Sequence, residues 1–240
     1  STEQRAQFQR DGVLAVGQVL PPPLVAEAKE RIAALRAAGM MDNPATDPTR
    51  EGIRLLGASA KDPWFWTIIR HPAVLAAAEL ALGPNIQFYQ DNLFIKPPGN
   101  GAPTPWHQDN IWWHAKPPRM ATLWLALDDC DAVNGGVQYV RGSHDQLLDG
   151  KLERLDPKGL RYFVLAEDQV DQARLISYAV PAGHGVLHHC LTIHGAPPND
   201  SPRWRHAYTI HLMAAGIHGA ERPDQPLLRG QMPTTLATVA

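Results

Sequence analysis

The hydrophobic pattern of this chain changes period at Gly83. Before it, apolar residues recur at helical spacing. Leu24, Val25, Ala28, Ile32 and Leu35 share one face, and Trp64, Phe65, Ile68 and Ile69 share another. After it, the pattern alternates. Ile86, Phe88, Gln90, Asn92, Phe94 and Lys96 fall on one side of a run, and Gln87, Tyr89, Asp91, Leu93 and Ile95 on the other. Period two over that length predicts a strand. Segments 120–127, 137–140, 175–180, 185–189 and 208–213 read as further strands, and Asn134-Gly135-Gly136 is a hairpin-type turn signal. One kind of element cannot satisfy both periods. The spacing therefore predicts an α+β fold, with a helical N-terminal part over about 1–83 and a largely antiparallel core over about 84–215, a barrel or double sheet.

Within the N-terminal part, residues 2–10 read as a short helix and 13–16 as a short strand. Pro21-Pro22-Pro23 opens a helix that Gly39 ends. Residues 40–60 read as a loop with room for a strand at 53–56. Asp62-Pro63 opens a second helix, and 73–82 is a third. Residues 145–174 read as a charged surface excursion, and the run from His218 as irregular. The 240 residues form one expected domain.

Composition narrows the function. The chain is 44% hydrophobic and 19% charged, with a formal net charge of -2. No basic stripe argues for nucleic acid, no polybasic cluster for a membrane surface, and no apolar run is long enough to span a bilayer. No signal peptide is evident. Cys130 and Cys190 stand far apart and outside any CxxC pattern, which excludes a disulfide framework and fits a reducing, cytoplasmic setting. A small-molecule partner is the remaining expectation. Oligomeric state is not legible in the sequence.

The chemistry concentrates in Pro105-Trp106-His107-Gln108-Asp109-Asn110-Ile111-Trp112-Trp113. In an extended strand, side chains at i and i+2 share a face, so His107 and Asp109 are expected to converge on one cation. The second half of a site is sought among His184, His188, His189 and His194. His188 and His189 are neighbours on a strand, so at most one of them looks into a given cavity. His71, His114, His206, His211 and His218 read as ordinary surface or core histidines. Two imidazoles and one carboxylate on one face of a metal are the facial triad of non-haem Fe(II) oxygenases, which keeps positions open for O₂ and a reductant. Arg205 then has work to do, because its planar fork holds a carboxylate bidentately. Two other readings stand beside this one. One is a zinc-dependent hydrolase using His188 or His189 with His194, and the other is a non-catalytic jelly-roll binding protein. No HExxH helix supports the hydrolase.

At these residues the chain resembles the phytanoyl-CoA dioxygenase-like (PhyH) Fe(II)/2-oxoglutarate oxygenases. The matching pieces are Trp106-His107-Gln108-Asp109, Thr122-x-Trp124-x-Ala126-Leu127-Asp128-Asp129, Asn134-Gly135-Gly136, Arg141-Gly142-Ser143-His144, His194-Gly195-Ala196-x-x-Asn199-x-Ser201 and Arg205, over residues 5–213. The resemblance implies a double-stranded β-helix (jelly roll) packed by N-terminal helices. It implies a dioxygenase using Fe(II), 2-oxoglutarate and O₂ to oxidise a small molecule, with release of succinate and CO₂. His107, Asp109 and His194 would be the metal ligands, and Arg205 would bind the far carboxylate of 2-oxoglutarate. Thr122 would assist Arg205, and Trp124 would line the cosubstrate pocket. A carboxylate at the third ligand position disfavours halogenation. Gln90, Asn92 and Trp113 are candidate substrate contacts, and the tryptophans and low charge suggest a fairly apolar substrate. The loops at 40–60 and 145–174 are the expected lid. The chain departs from the family pattern at Ala196, where serine is frequent, and at Arg141, where proline is usual.

Overall fold

The N-terminal part is woven into the β core rather than packed beside it. In a computed structural model, which describes residues 1–42, 49–154, 161–217 and 225–233, helix α1 (Thr2–Asp11) begins at a Ser1 cap and ends at Gly12 in the left-handed conformation. Strand β1 (Val13–Gln18) follows. Helix α2 (Pro22–Ala37) starts on prolines, whose missing N–H groups cost nothing in a first turn. Strand β2 (Ile53–Leu56) precedes helices α3 (Ala58–Lys61), α4 (Phe65–Ile69) and α5 (Pro72–Leu82). Then come β3 (Ile86–Lys96), β4 (Thr104–His107), the short helix α6 (Asn110–Trp113), β5 (Met120–Ala126) and β6 (Gln138–Val140). Strands β7 (Lys151–Arg154), β8 (Arg161–Val164), β9 (Leu175–Ser177), β10 (His184–His189), β11 (His194–Ala196), β12 (Arg205–Ala214) and β13 (Leu227–Arg229) complete the order.

Two antiparallel sheets make the expected double-stranded β-helix. The major sheet has seven strands in the order β1-β10-β5-β12-β3-β13, with β2 also paired to β3. The minor sheet runs β4-β11-β6-β9. Alternation along the central strands decides which side chains meet helices and which meet the other sheet. Tyr208, Ile210 and Leu212 of β12 join Leu123 and Leu125 of β5 in the main core, with Ile32 of α2, Phe65 of α4 and Ala78 of α5. The opposite face turns Trp124, Ala126, Val186 and Ala207 toward Tyr139 of the minor sheet.

Three readings need correction. The faces of β3 are not constant along its length. A bulge opposite His211 and Leu212 shifts the register, so Ile86 and Phe88 join the helix-side core while Tyr89 packs on the Trp113 side. The segment 145–174 is not bare surface. It contains the antiparallel β7–β8 pair and two 3-10 turns, and it buries Leu165 and Val170. The run from His218 is not wholly irregular, since β13 pairs with β3. Positions 43–48, 155–160, 218–224 and 234–240, with His218 among them, lie outside the described residues.

Candidate metal centre and cosubstrate pocket

Strand pairing joins the two histidines. β4 and β11 run antiparallel with His107 opposite His194, and their ring centroids are 4.1 Å apart. Asp109 arrives differently from the i, i+2 expectation. Its backbone is helical (φ -59°, ψ -36°) and it leads into α6, so a turn after the strand, not the strand pleat, swings its carboxylate back toward His107. All three side chains are buried, and their ligand atoms lie within 4.8 Å of one another.

The orientation of each group suits a cation. His107 Nδ1 donates to Pro105 O at 2.7 Å and His194 Nδ1 to Thr192 O at 2.9 Å. Both Nε2 atoms are thereby left facing Asp109 Oδ1, each at 3.8 Å. Two ligands about 2.1 Å from one ion stand at most about 4.2 Å apart, so these separations fit a shared metal. Burial lowers the pKa of His107 and His194 to about 4, which leaves both imidazoles neutral near pH 7. Burial alone would raise the Asp109 carboxyl, but His194 and the bond from His188 outweigh it and hold it well below the usual carboxylate range. Neutral imidazoles and an ionised carboxylate are the forms that bind metal.

A guanidinium sits in the same cavity. Arg205, the first residue of β12, is 2% exposed, and its Nη1 donates to Phe94 O at 3.2 Å. Its Nε has no partner, and no carboxylate pairs with it among the described residues. Burial lowers its pKa. A buried cation without an anion is costly, so the site suits a bound carboxylate. Trp124 lies beside it, with the guanidinium carbon 5.9 Å from the ring centroid. Lys96, its register partner on β3, is also buried; its Nζ donates to Pro197 O at 2.5 Å, and burial with Arg205 nearby pushes its pKa well below the ordinary value.

The matched segment carries a family signature. A model of the phytanoyl-CoA dioxygenase (PhyH) family matches residues 8–207. The chain belongs to the PhyH family. Among curated relatives it is 28% identical over 172 residues to phytanoyl-CoA dioxygenase domain-containing protein 1 of Danio rerio, covering 69% of this chain and 59% of that protein. It is 25% identical over 221 residues to the L-proline trans-4-hydroxylase of Streptomyces griseoviridis, covering 85% and 82%. Among solved structures, the non-heme alpha ketoglutarate dependent carbocyclase SnoK from nogalamycin biosynthesis superposes with a TM-score of 0.78 at 22% identity, covering 93% of this chain and 87% of that one. The chain spans about half the length of several curated relatives it matches, 50% and 51% of the phytanoyl-CoA dioxygenases of Oryza sativa and Arabidopsis thaliana.

Two residues of the matched segment support the site without facing it. Asn199 Nδ2 gives one hydrogen to Arg203 O and shares the other between Pro97 O and Lys96 O, which ties the end of β3 to the start of β12 and so fixes Arg205. Ser143 Oγ accepts from the Ile193 amide at 2.8 Å and steadies the strand before His194. Ala196 lines the cavity and brings no hydroxyl.

The cavity has a volume of about 260 Å³. Gln90, Asn92, Trp113, Thr122 and Trp124 line it, together with His107, Asp109, His194 and Arg205. The Thr122 hydroxyl is not spent on Arg205. It bonds Asp109 Oδ2 and His211 Nδ1, each at 2.8 Å. Of the neighbouring histidines, His188 faces the cavity, while His189 turns away toward His144, 5.3 Å between ring centroids, and His184 stays at the strand start beside Ala182 O. His211, read from sequence as an ordinary histidine, also lines the cavity. Alternation along β12 carries that signal, since Arg205, Thr209 and His211 share one face. Arg54 on β2 was missed too. It gives the wall a second cation whose Nε has no partner, so the lining is less apolar than the sequence suggests.

Proposed function

We propose that this chain is a single catalytic domain that uses Fe(II), 2-oxoglutarate and O₂ to oxidise a C–H bond of a small metabolite. The observation that carries this reading is the meeting, in one cavity, of a buried His-Asp-His cluster and a buried guanidinium with no carboxylate partner. Bound iron with 2-oxoglutarate would supply the oxidation, releasing succinate and CO₂. His107, Asp109 and His194 hold the metal. Arg205 grips the far carboxylate of the cosubstrate, and Trp124 walls its side. Family membership and the oxygenase relatives favour this over a zinc hydrolase, and His189 points away from the cluster.

Gln90, Asn92 and Trp113 form the wall for the substrate. Asn92 Oδ1 is buried and has no partner, so it suits a substrate N–H or O–H. A cavity of about 260 Å³ that also takes the cosubstrate admits only a small molecule or the reacting end of a larger one. Among the described residues no helix is long and apolar enough to cross a membrane. Both cysteines are free thiols, which agrees with a cytoplasmic setting, and nothing in the charge pattern calls for nucleic acid.

Reconstitution with Fe(II) under anaerobic conditions, followed by O₂ and 2-oxoglutarate, tests the reading. Iron-dependent succinate release, stimulated by at least one member of a small-metabolite panel, is the expected result. Absence of both iron binding and succinate would overturn it.

A further inference from the structure

A row of polar side chains crosses the floor of the major sheet beneath Asp109. Register sets the row: His188 of β10 lies opposite Thr122 of β5, and Thr122 lies opposite His211 of β12. They are 2%, 1% and 5% exposed. Further along the same face Val186, Ala126 and Ala207 are apolar, while Thr209 and Arg205 carry polar lining along β12. Buried polar groups are costly unless bonded, so the row needs a reason.

The direction of its hydrogen bonds is fixed from one end. The carboxylate of Asp109 only accepts. Its Oδ2 takes the Thr122 hydroxyl at 2.8 Å and His188 Nε2 at 3.2 Å. Thr122 has then used its one hydrogen, so the 2.8 Å contact with His211 runs the other way, from Nδ1–H to the threonine oxygen. A neutral His211 must then accept at Nε2, where the Asn92 amide donates from 2.9 Å. His188 Nδ1 is buried without a partner. Every bond in the chain Asn92, His211, Thr122 points toward Asp109, and His188 arrives at the same oxygen from another strand.

We propose that Thr122 and His188, with His211 behind Thr122, are positioning residues that clamp Asp109 Oδ2 so that Oδ1 alone is offered to the metal. The proposal rests on the reading of Asp109 as a metal ligand. Groups behind a metal ligand of this kind fix its rotamer and tune its affinity. Two donors on one oxygen leave the carboxylate no freedom to swing into two-oxygen binding.

The test is Co(II) affinity of the purified protein by chelator competition without O₂, with the visible spectrum of the Co(II) form and the melting midpoint of the metal-free form. Thr122→Val and His188→Phe are each expected to weaken Co(II) binding about 10- to 100-fold and to change the visible bands, while the metal-free form still melts cooperatively. Thr122→Ser restores affinity to within a few-fold. Thr122→Ala replaces the valine variant if that does not fold. Affinity within twofold of wild type in folded Thr122→Val or Thr122→Ala and in His188→Phe overturns the clamp. Unchanged affinity in Asp109→Ala instead overturns the ligand assignment beneath it, so the two failures are told apart.

Discussion

Gly195 lies against the face of Trp106. A Cβ on Gly195 would stand 3.0 Å from Trp106 Cε3 and 3.1 Å from Thr104 O. The contact sits inside the β4–β11 pair, one residue from His194, so it controls how closely the two histidine strands approach. A side chain here makes the Trp106 ring or the Thr104 carbonyl give way by a few tenths of an ångström, more for a larger one. Gly195→Val is expected to push β11 from β4 and weaken metal binding at least tenfold, while Gly195→Ala has a smaller effect. Metal titration of both variants checks this ranking, and equal affinities would refute it.

Asp109 supplies the only carboxylate of the cluster. Asp109→Ala leaves two neutral imidazoles to hold a dication, and both metal affinity and succinate release are expected to fall below detection. Retained turnover in that variant, with no added ligand, would remove Asp109 from the metal.

Arg205 offers two parallel N–H groups where lysine offers a point charge. Arg205→Lys is expected to raise KM for 2-oxoglutarate about 10- to 100-fold, the worth of a charge-assisted hydrogen bond of about 1.5–3 kcal/mol, with metal affinity unchanged. Steady-state kinetics against 2-oxoglutarate decide the matter. A KM that stays put would place the cosubstrate elsewhere.

Stability has its own buried polar knot. Asp91, 1% exposed, accepts from Ser59 N and Ser59 Oγ at 2.8 Å and from Tyr208 OH at 2.7 Å, pinning α3 to the major sheet. Asp91→Ala strands those donors and is expected to destabilise the fold by about 3 kcal/mol. Tyr208→Phe should cost about 1–2 kcal/mol, and the double variant less than the sum. Urea unfolding of all three gives the comparison.

Acid should weaken the metal-free protein before its carboxylates protonate. Burial holds His189 and His211 to about 4, against 6.5 for an ordinary imidazole. As pH falls from 6.5 toward 4 the unfolded chain takes up protons that the folded chain refuses, so stability drops across that window and levels below it. Each imidazole contributes up to about 3 kcal/mol. His189→Gln is expected to flatten the slope of stability against pH between 6.5 and 4, and parallel slopes would contradict the assignment.

Much of this was legible in the linear sequence because it is periodic or local. The change of period at Gly83 marks where the last long helix gives way to β3, and Pro22 and Gly39 bracket α2. His107 and Asp109 stood out by their spacing, while His194 and Arg205 were set apart from the other histidines and arginines by the resemblance to the PhyH oxygenases. Other features escaped because they depend on which strands become neighbours. The bulge in β3 that swaps its faces is visible only against β12.

The chain alone determined the elements and the chemical groups, since hydrophobic period, turn residues and ligand types are properties of short stretches of sequence. Tertiary structure decided which groups meet. His188, Thr122 and His211 come from three separate strands, and only their register puts them in one row beneath Asp109. Arg54 faces the cavity because β2 pairs with β3, and Asp109 reaches the histidines through a turn rather than along a strand. The physical reason is the same in each case: a hydrogen bond or a ligand set requires atoms a few ångströms apart, and that distance is set by strand pairing, which a linear pattern does not encode.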